Sequence, residues 1–192
     1  MPAKPDLPIL QCDSHADWAA WLADNHAASP GVWLKFAKKA APIETVTHTQ
    51  ALEEALCFGW IDGQTQRADE HFFLQRFTPR RRASKWSRIN RDSAERLIAA
   101  GRMRPAGIAQ VQAARADGRW DVAYEPQRTA SVPDDLQAAL DRNPEAKAFF
   151  ETLTGANRYA ILYRIGDAKR PQTRAKRIEQ YVAMCAEHRT LH

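Results

Sequence analysis

The sequence predicts an α+β fold, a small antiparallel sheet of about three strands packed by helices and followed by an all-helical C-terminal half. Three observations lead there. GVWLKFAKK, residues 31–39, alternates, with Val32, Leu34 and Phe36 on one face and Trp33, Lys35 and Ala37 on the other, which is the period of a strand. DGQTQRADEHFFLQRFTP, residues 62–79, reads as a hairpin turning near Asp69-Glu70. After Gly101 the strand signals cease, and apolar residues recur at helical spacing to the end of the chain. The hairpin turn is too short for a crossover, so three strands and no parallel βαβ unit are expected.

The elements follow in order. Ser14-x-x-Asp17 is a capping box opening a helix of about residues 15–26, with Trp18, Trp21 and Leu22 on its apolar face and Ser29-Pro30-Gly31 closing it. Thr47-x-x-Gln50 opens a second helix through ALEEALCFGW. Helices carrying Trp18, Leu52 and Leu56 are expected to cover the sheet face made by Val32, Leu34, Phe36, Phe73 and Phe77. Ser84 is expected to begin a helix whose buried stripe is Trp86, Ile89, Ser93 and Leu97, stopped by Gly101. RPAGIAQVQAARADGRW is helical up to Gly118, and Pro133 and Pro144 each stand at an expected first helical position. GANRYAILYRIGDAKR and PQTRAKRIEQYVAMCAEH complete the helices. Residues 121–133 read as a linker between an α+β part, 1–120, and a helical part, 134–192, the two expected to pack as one compact unit.

Composition narrows the function classes. The chain is 44% hydrophobic and 27% charged, an ordinary globular balance. No apolar run approaches the roughly 18 residues of a membrane span, so no membrane insertion is expected. MPAKPDLPILQCDSH lacks the apolar core of a secretory signal, and a cytoplasmic location is expected. Three cysteines without a CxxC argue against a disulfide framework or a zinc site. Six histidines without an HExxH, and the absence of GxGxxG, GxxxxGK[ST] and GxSxG, leave no cofactor or metal expected.

Charge is where the sequence is unusual. Arg76, Arg80, Arg81, Arg82, Lys85, Arg88 and Arg91 fall in one stretch without an acid, and Lys169, Arg170, Arg174, Lys176 and Arg177 in another. The other 16 bases face 23 acids, so the remainder of the chain carries about −7 while the whole carries +5. Each basic stretch is read as the start of a helix, where cations are unfavourable by about 0.3–1 kcal/mol each. A bound anion reverses that sign, because free backbone N–H groups and guanidinium forks both point at it.

ALCFGWIDG and FTPRRRASKWSRIN, with GRMRPAG, ADGRW and AKRPQTRAKRIE, resemble the bacterial YdeI/OmpD-associated family, labelled bacteriocin protection, from about Trp18 to Tyr181. The resemblance implies an α+β protein with a stress or toxin-protection role, and the family's name implies an association with an outer-membrane porin. It also implies a tyrosine where this chain has His48.

The residues then suggest a non-enzymatic protein that binds an anionic, phosphate-bearing ligand or an acidic partner. Arg80, Arg81, Ser84 and Lys85 form one half of the expected site and Arg170, Thr173, Arg174 and Arg177 the other, gathered about a common anion. Arg170, Arg174 and Arg177 share a helix face if the helix includes Arg170. A solvated basic face, with Arg91/Glu95 and Asp92/Arg96 as i,i+4 pairs, is the plain alternative. Nucleic-acid binding, with Trp86 stacking a base, is a second reading. A small-molecule enzyme using Asp62 and Asp69, with His71 beside Asp69, is a third. Trp60, Asp62, Asp69 and Trp86 are candidate pocket residues, while Cys57 reads as a buried small hydrophobe. Gly59 and Gly63 read as allowing a sharp passage from helix to strand.

Overall fold

A computed structural model describes residues 7–192. The chain divides into two compact units, Met1–Trp86 with Asn90–Val122, and Ser87–Ile89 with Ala123–His192. The first holds all the strands, the second only helices and connections, as the expected α+β fold class requires.

In the first unit, strand β1 (Ile9–Gln11) precedes helix α1 (His15–Asn25), strand β2 (Val32–Ala37), helix α2 (His48–Cys57) and the hairpin β3 (Trp60–Arg67) and β4 (Phe72–Pro79). Helices α3 (Arg88–Ala99) and α4 (Pro105–Ala116) follow. Both expected capping boxes form. Ser14 accepts from the Asp17 amide and Thr47 from the Gln50 amide, and the side chains of Asp17 and Gln50 return the bond to the cap backbone.

The sheet runs β1-β2-β4-β3. Phe36 pairs with Phe73 and Val32 with Phe77, so the expected apolar face is assembled across β2 and β4. Trp18 covers it from α1, with its ring 5.4 Å from Phe77 and its indole N–H donating to the Ala51 carbonyl of α2 at 3.0 Å. One strand more than expected is present, and it corrects the reading of strand sense. β1 pairs parallel with β2, with α1 as the crossover between them. Three residues in a proline-rich run are too short for periodicity to register.

Three further expectations are corrected. Helix α3 begins at Arg88, not Ser84, and Ile89 is 53% exposed; the buried residues are Asn90, Ala94 and Leu97. Ser84 instead closes a turn, its hydroxyl accepting the Arg81 amide while its own amide donates to the Arg81 carbonyl. The two i,i+4 pairs do not form as read. Arg91 meets its neighbour Asp92, Arg96 reaches Glu53, and Glu95 faces Arg115. Pro133 caps the next helix rather than entering it.

Three of the motifs that carried the resemblance, ALCFGWIDG, GRMRPAG and ADGRW, supply packing contacts. Helix α4 crosses the end of α2 so closely that a Cβ on Gly107 would lie 2.3 Å from the Cys57 carbonyl oxygen. Gly59, at φ +76, also lies close to the Ala106 carbonyl, where a Cβ would fall 2.9 Å away. CFGW and RPAG are therefore two halves of one backbone crossing, secured where the Arg104 amide donates to the Cys57 carbonyl at 3.1 Å. The tryptophan of ADGRW belongs to a second contact, with Trp120 4.8 Å from Trp86, edge to face.

In the second unit, α5 (Asp134–Asp141), α6 (Pro144–Thr152), α7 (Gly155–Gly166) and α8 (Pro171–Ala186) enclose a core that includes Leu136, Leu140, Phe150, Ile161, Ile165 and Tyr181. Asn143 caps α6 by accepting the Ala146 amide.

Candidate functional site

The basic turn between β4 and α3 is held by its first arginine. Arg80 is 5% exposed, its guanidinium stacks 3.6 Å over the Trp86 ring and Nη1 donates to the Lys85 carbonyl at 3.1 Å. Its amide donates to the Gly59 carbonyl, tying the turn to the CFGW crossing. Arg119, from the ADGRW motif, donates to the Ser84 carbonyl at 2.8 Å from the other side. Arg81, Arg82 and Lys85 are exposed on the turn so fixed. The turn thus divides labour: Arg80 and Trp86 build it, and its neighbours carry charge at the surface. Because α3 starts at Arg88, Arg80–Lys85 do not lie in that helix's first turn, which corrects that part of the expectation.

The second basic segment does open a helix. Arg170 stands at the N-cap of α8 with extended backbone, Pro171 is its first residue, and no side chain caps it. Arg170 is outside the helix, so the i, i+4, i+7 face is not formed as a run of helical residues. Arg174 faces inward to a carboxylate. Its Nε and Nη2 hold the two Asp135 oxygens at 2.5 and 2.8 Å, and its Nη1 donates to the Ile165 carbonyl at 3.1 Å. That fork keeps the Asp135 carboxyl below the usual carboxylate range, the Arg174 hydrogen bond being the largest cause. Arg177 donates to the Arg164 carbonyl. Thr173 and Arg170 are exposed.

The carboxylates proposed for acid–base work are apart. Asp62 pairs with Phe77 near the start of β3, while Asp69 lies in the turn beyond its end. Seven residues of extended chain separate them by about 20 Å, so they share no site. Asp69 is a turn residue, with Oδ1 accepting the amides of His71 and Phe72 at 2.8 Å each, and those bonds lower its carboxyl against the opposing effect of desolvation. Asp62 has a different partner, His48, with Nε2 3.5 Å from Oδ2, both groups partly open to solvent. Trp60 is 1% exposed, donates to the His26 carbonyl at 3.0 Å and belongs to the core. Trp86 is equally enclosed, at 2%. Cys57 is buried as expected, and burial pushes its thiol up to about 11.

Sequence reading missed one cluster altogether. Glu54, 7% exposed on α2, accepts from His15 at 2.8 Å and from Arg102 at 3.3 Å; Arg102 and Arg96 also hold Glu53, at 3.2 and 2.9 Å. Its members are spread from His15 to Arg102, and no motif joins them. This network ties α1, α2, α3 and the segment before α4 together around a buried carboxylate that has partners for its oxygens. Among the described residues, no group of three or more His, Cys, Asp or Glu is placed to hold a metal ion, and no helix is long and apolar enough to cross a membrane.

Comparison with known proteins adds the family. A search among curated proteins and a search among solved structures each found no match. Residues 129–188 match the family described as bacteriocin-protection, YdeI or OmpD-associated, which bears out that resemblance over α5 to α8. Residues 10–110, which hold ALCFGWIDG and FTPRRRASKWSRIN, match a domain of unknown function, DUF8412. The chain therefore belongs, through more than half of its length, to the DUF8412 family, and it carries a YdeI/OmpD-associated segment after it.

Proposed function

We propose that this is a non-enzymatic, bacteriocin-protection-like binding protein that holds an anionic, phosphate-bearing ligand or an acidic partner on its basic segments. The observation that supports it most is the fixed turn at 80–85. Arg80 is spent on Trp86, yet the turn is locked by Gly59, Ser84 and Arg119, and it carries Arg81, Arg82 and Lys85 at the surface. Because hydrogen bonds already fix the backbone of the turn, only the side chains of these cations have to be ordered when they bind an anion. The uncapped start of α8, with Arg170 beside it, supplies a second place of the same character. Arg174 contributes less than its sequence position suggests, since Asp135 already neutralises it.

Nucleic-acid binding is less well supported, because Trp86 lies between Arg80 and Trp120 and has no face to offer a base. The reading is tested by thermal unfolding in phosphate against chloride of equal ionic strength. A ligand at 100 times its Kd stabilises by about 2.7 kcal/mol, so a rise of several degrees is expected for a chain of this size. The Arg81→Ala/Arg82→Ala protein should keep its fold and lose most of that rise. Equal rises in both proteins, or in phosphate and chloride, would overturn the reading.

A further inference from the structure

We infer that the second unit holds a small-molecule site of its own, a cavity at the start of α7 that takes an organic anion with a flat apolar body. The cavity measures about 410 Å³ and is lined by Gln127, Arg128, Gly155, Arg158, Tyr159 and Leu162. That is within the lower range of small-molecule pockets. Two of its six lining residues are cationic and none is acidic.

The nearest acid in sequence is engaged elsewhere. The Glu125 carboxylate meets Arg88 at 2.8 Å and accepts the Ser131 amide at 3.1 Å. Arg158 is set in place by one weak bond from Nη1 to the Ala130 carbonyl, at 3.4 Å, and by packing 5.4 Å from the Phe150 ring. A guanidinium has five N–H donors, so this anchorage leaves most of its fork for a ligand. Arg128, exposed on the opposite connection, can close on the same oxyanion.

The remaining lining specifies the body of the ligand. Leu162 is 6% exposed, and the half-buried Tyr159 ring stands beside Tyr163 with its hydroxyl engaged, donating to the Glu125 carbonyl at 2.9 Å. Burial, with Tyr124 and Tyr163 nearby, pushes that phenol up to about 12, so it stays neutral at ordinary pH and does not repel an anion. A charged oxyanion on the arginines with an apolar ring against Tyr159 and Leu162 matches both halves of the lining.

The test uses the full chain and 2-naphthoate, followed by ligand-observed NMR titration, with acetate and 2-naphthol as probes lacking the ring or the charge. Wild type is expected to bind 2-naphthoate about tenfold or more tightly than either. Arg128→Gln, at an exposed position that leaves the core intact, should weaken 2-naphthoate at least about tenfold. Arg81→Ala/Arg82→Ala should leave it unchanged, which separates this site from the basic turn. The inference is overturned if wild type shows no saturable binding, if acetate or 2-naphthol binds as well, or if Arg128→Gln binds like wild type.

Discussion

At the scale of single residues, the two basic stretches look alike in sequence and differ in what each arginine does. Arg80 is a core residue whose charge is stacked on Trp86, whereas Arg174 is half of an ion pair. Neither fate was legible in the sequence, because Arg80 depends on Trp86 and Trp120 meeting, and Arg174 on Asp135, which is 39 residues away. The Arg174–Asp135 pair makes a prediction with a sign. Its carboxyl titrates below the unfolded value, so the stability it contributes is fully present above about pH 4 and is lost as pH falls through the folded value. Asp135 is more than a third exposed, and solvent screening holds the contribution to about 0.2–1 kcal/mol. Arg174→Leu should therefore lower the urea midpoint at pH 7 and differ less from wild type at pH 3. A difference that persists at pH 3 would assign the loss to the Ile165 carbonyl bond instead.

At the scale of elements, local signals were reliable and contingent ones were not. Capping boxes and the alternation of β2 are written within a few residues, and each formed as read. The start of α3 was misread because Ser84 can cap a helix or close a turn, and only the pairing of Arg88 with the Tyr124 carbonyl decides between them. Strand β1 is too short to show a period. The glycines of CFGW and RPAG were legible as special, but their reason, a backbone crossing, needed α2 and α4 in place. That crossing predicts an inverted substitution. Gly→Ala within a helix ordinarily stabilises by about 0.5–1 kcal/mol. Gly107→Ala should instead destabilise by about 1–3 kcal/mol, because its methyl would run into the Cys57 and Leu56 carbonyls. Gly166→Ala on α7, with nothing within 4 Å, should show no such loss. Equilibrium unfolding of both variants checks the pair; a stabilised Gly107→Ala would contradict the close approach.

At the scale of the whole molecule, fold class was readable because helical and strand periods separate near Gly101, and the YdeI/OmpD-associated resemblance was readable within 129–188, where AKRPQTRAKRIE lies. The candidate site was readable only as charge, since sequence shows how many cations are gathered but not which of them a partner already neutralises. The exposed cations, Arg81 and Arg82 on the turn and, separately, Arg170 at the start of α8, are the ones proposed to bind anions, with Arg80 and Arg174 as structural members. Isothermal titration of the full chain with inorganic phosphate, against the Arg81→Ala/Arg82→Ala/Arg170→Ala variant, tests this most directly. Saturable binding to wild type is expected, with a loss of affinity of about tenfold or more in the variant, since a charge-assisted hydrogen bond is worth about 1.5–3 kcal/mol. Absence of saturable heat with wild type, or equal affinity in the two proteins, would contradict it.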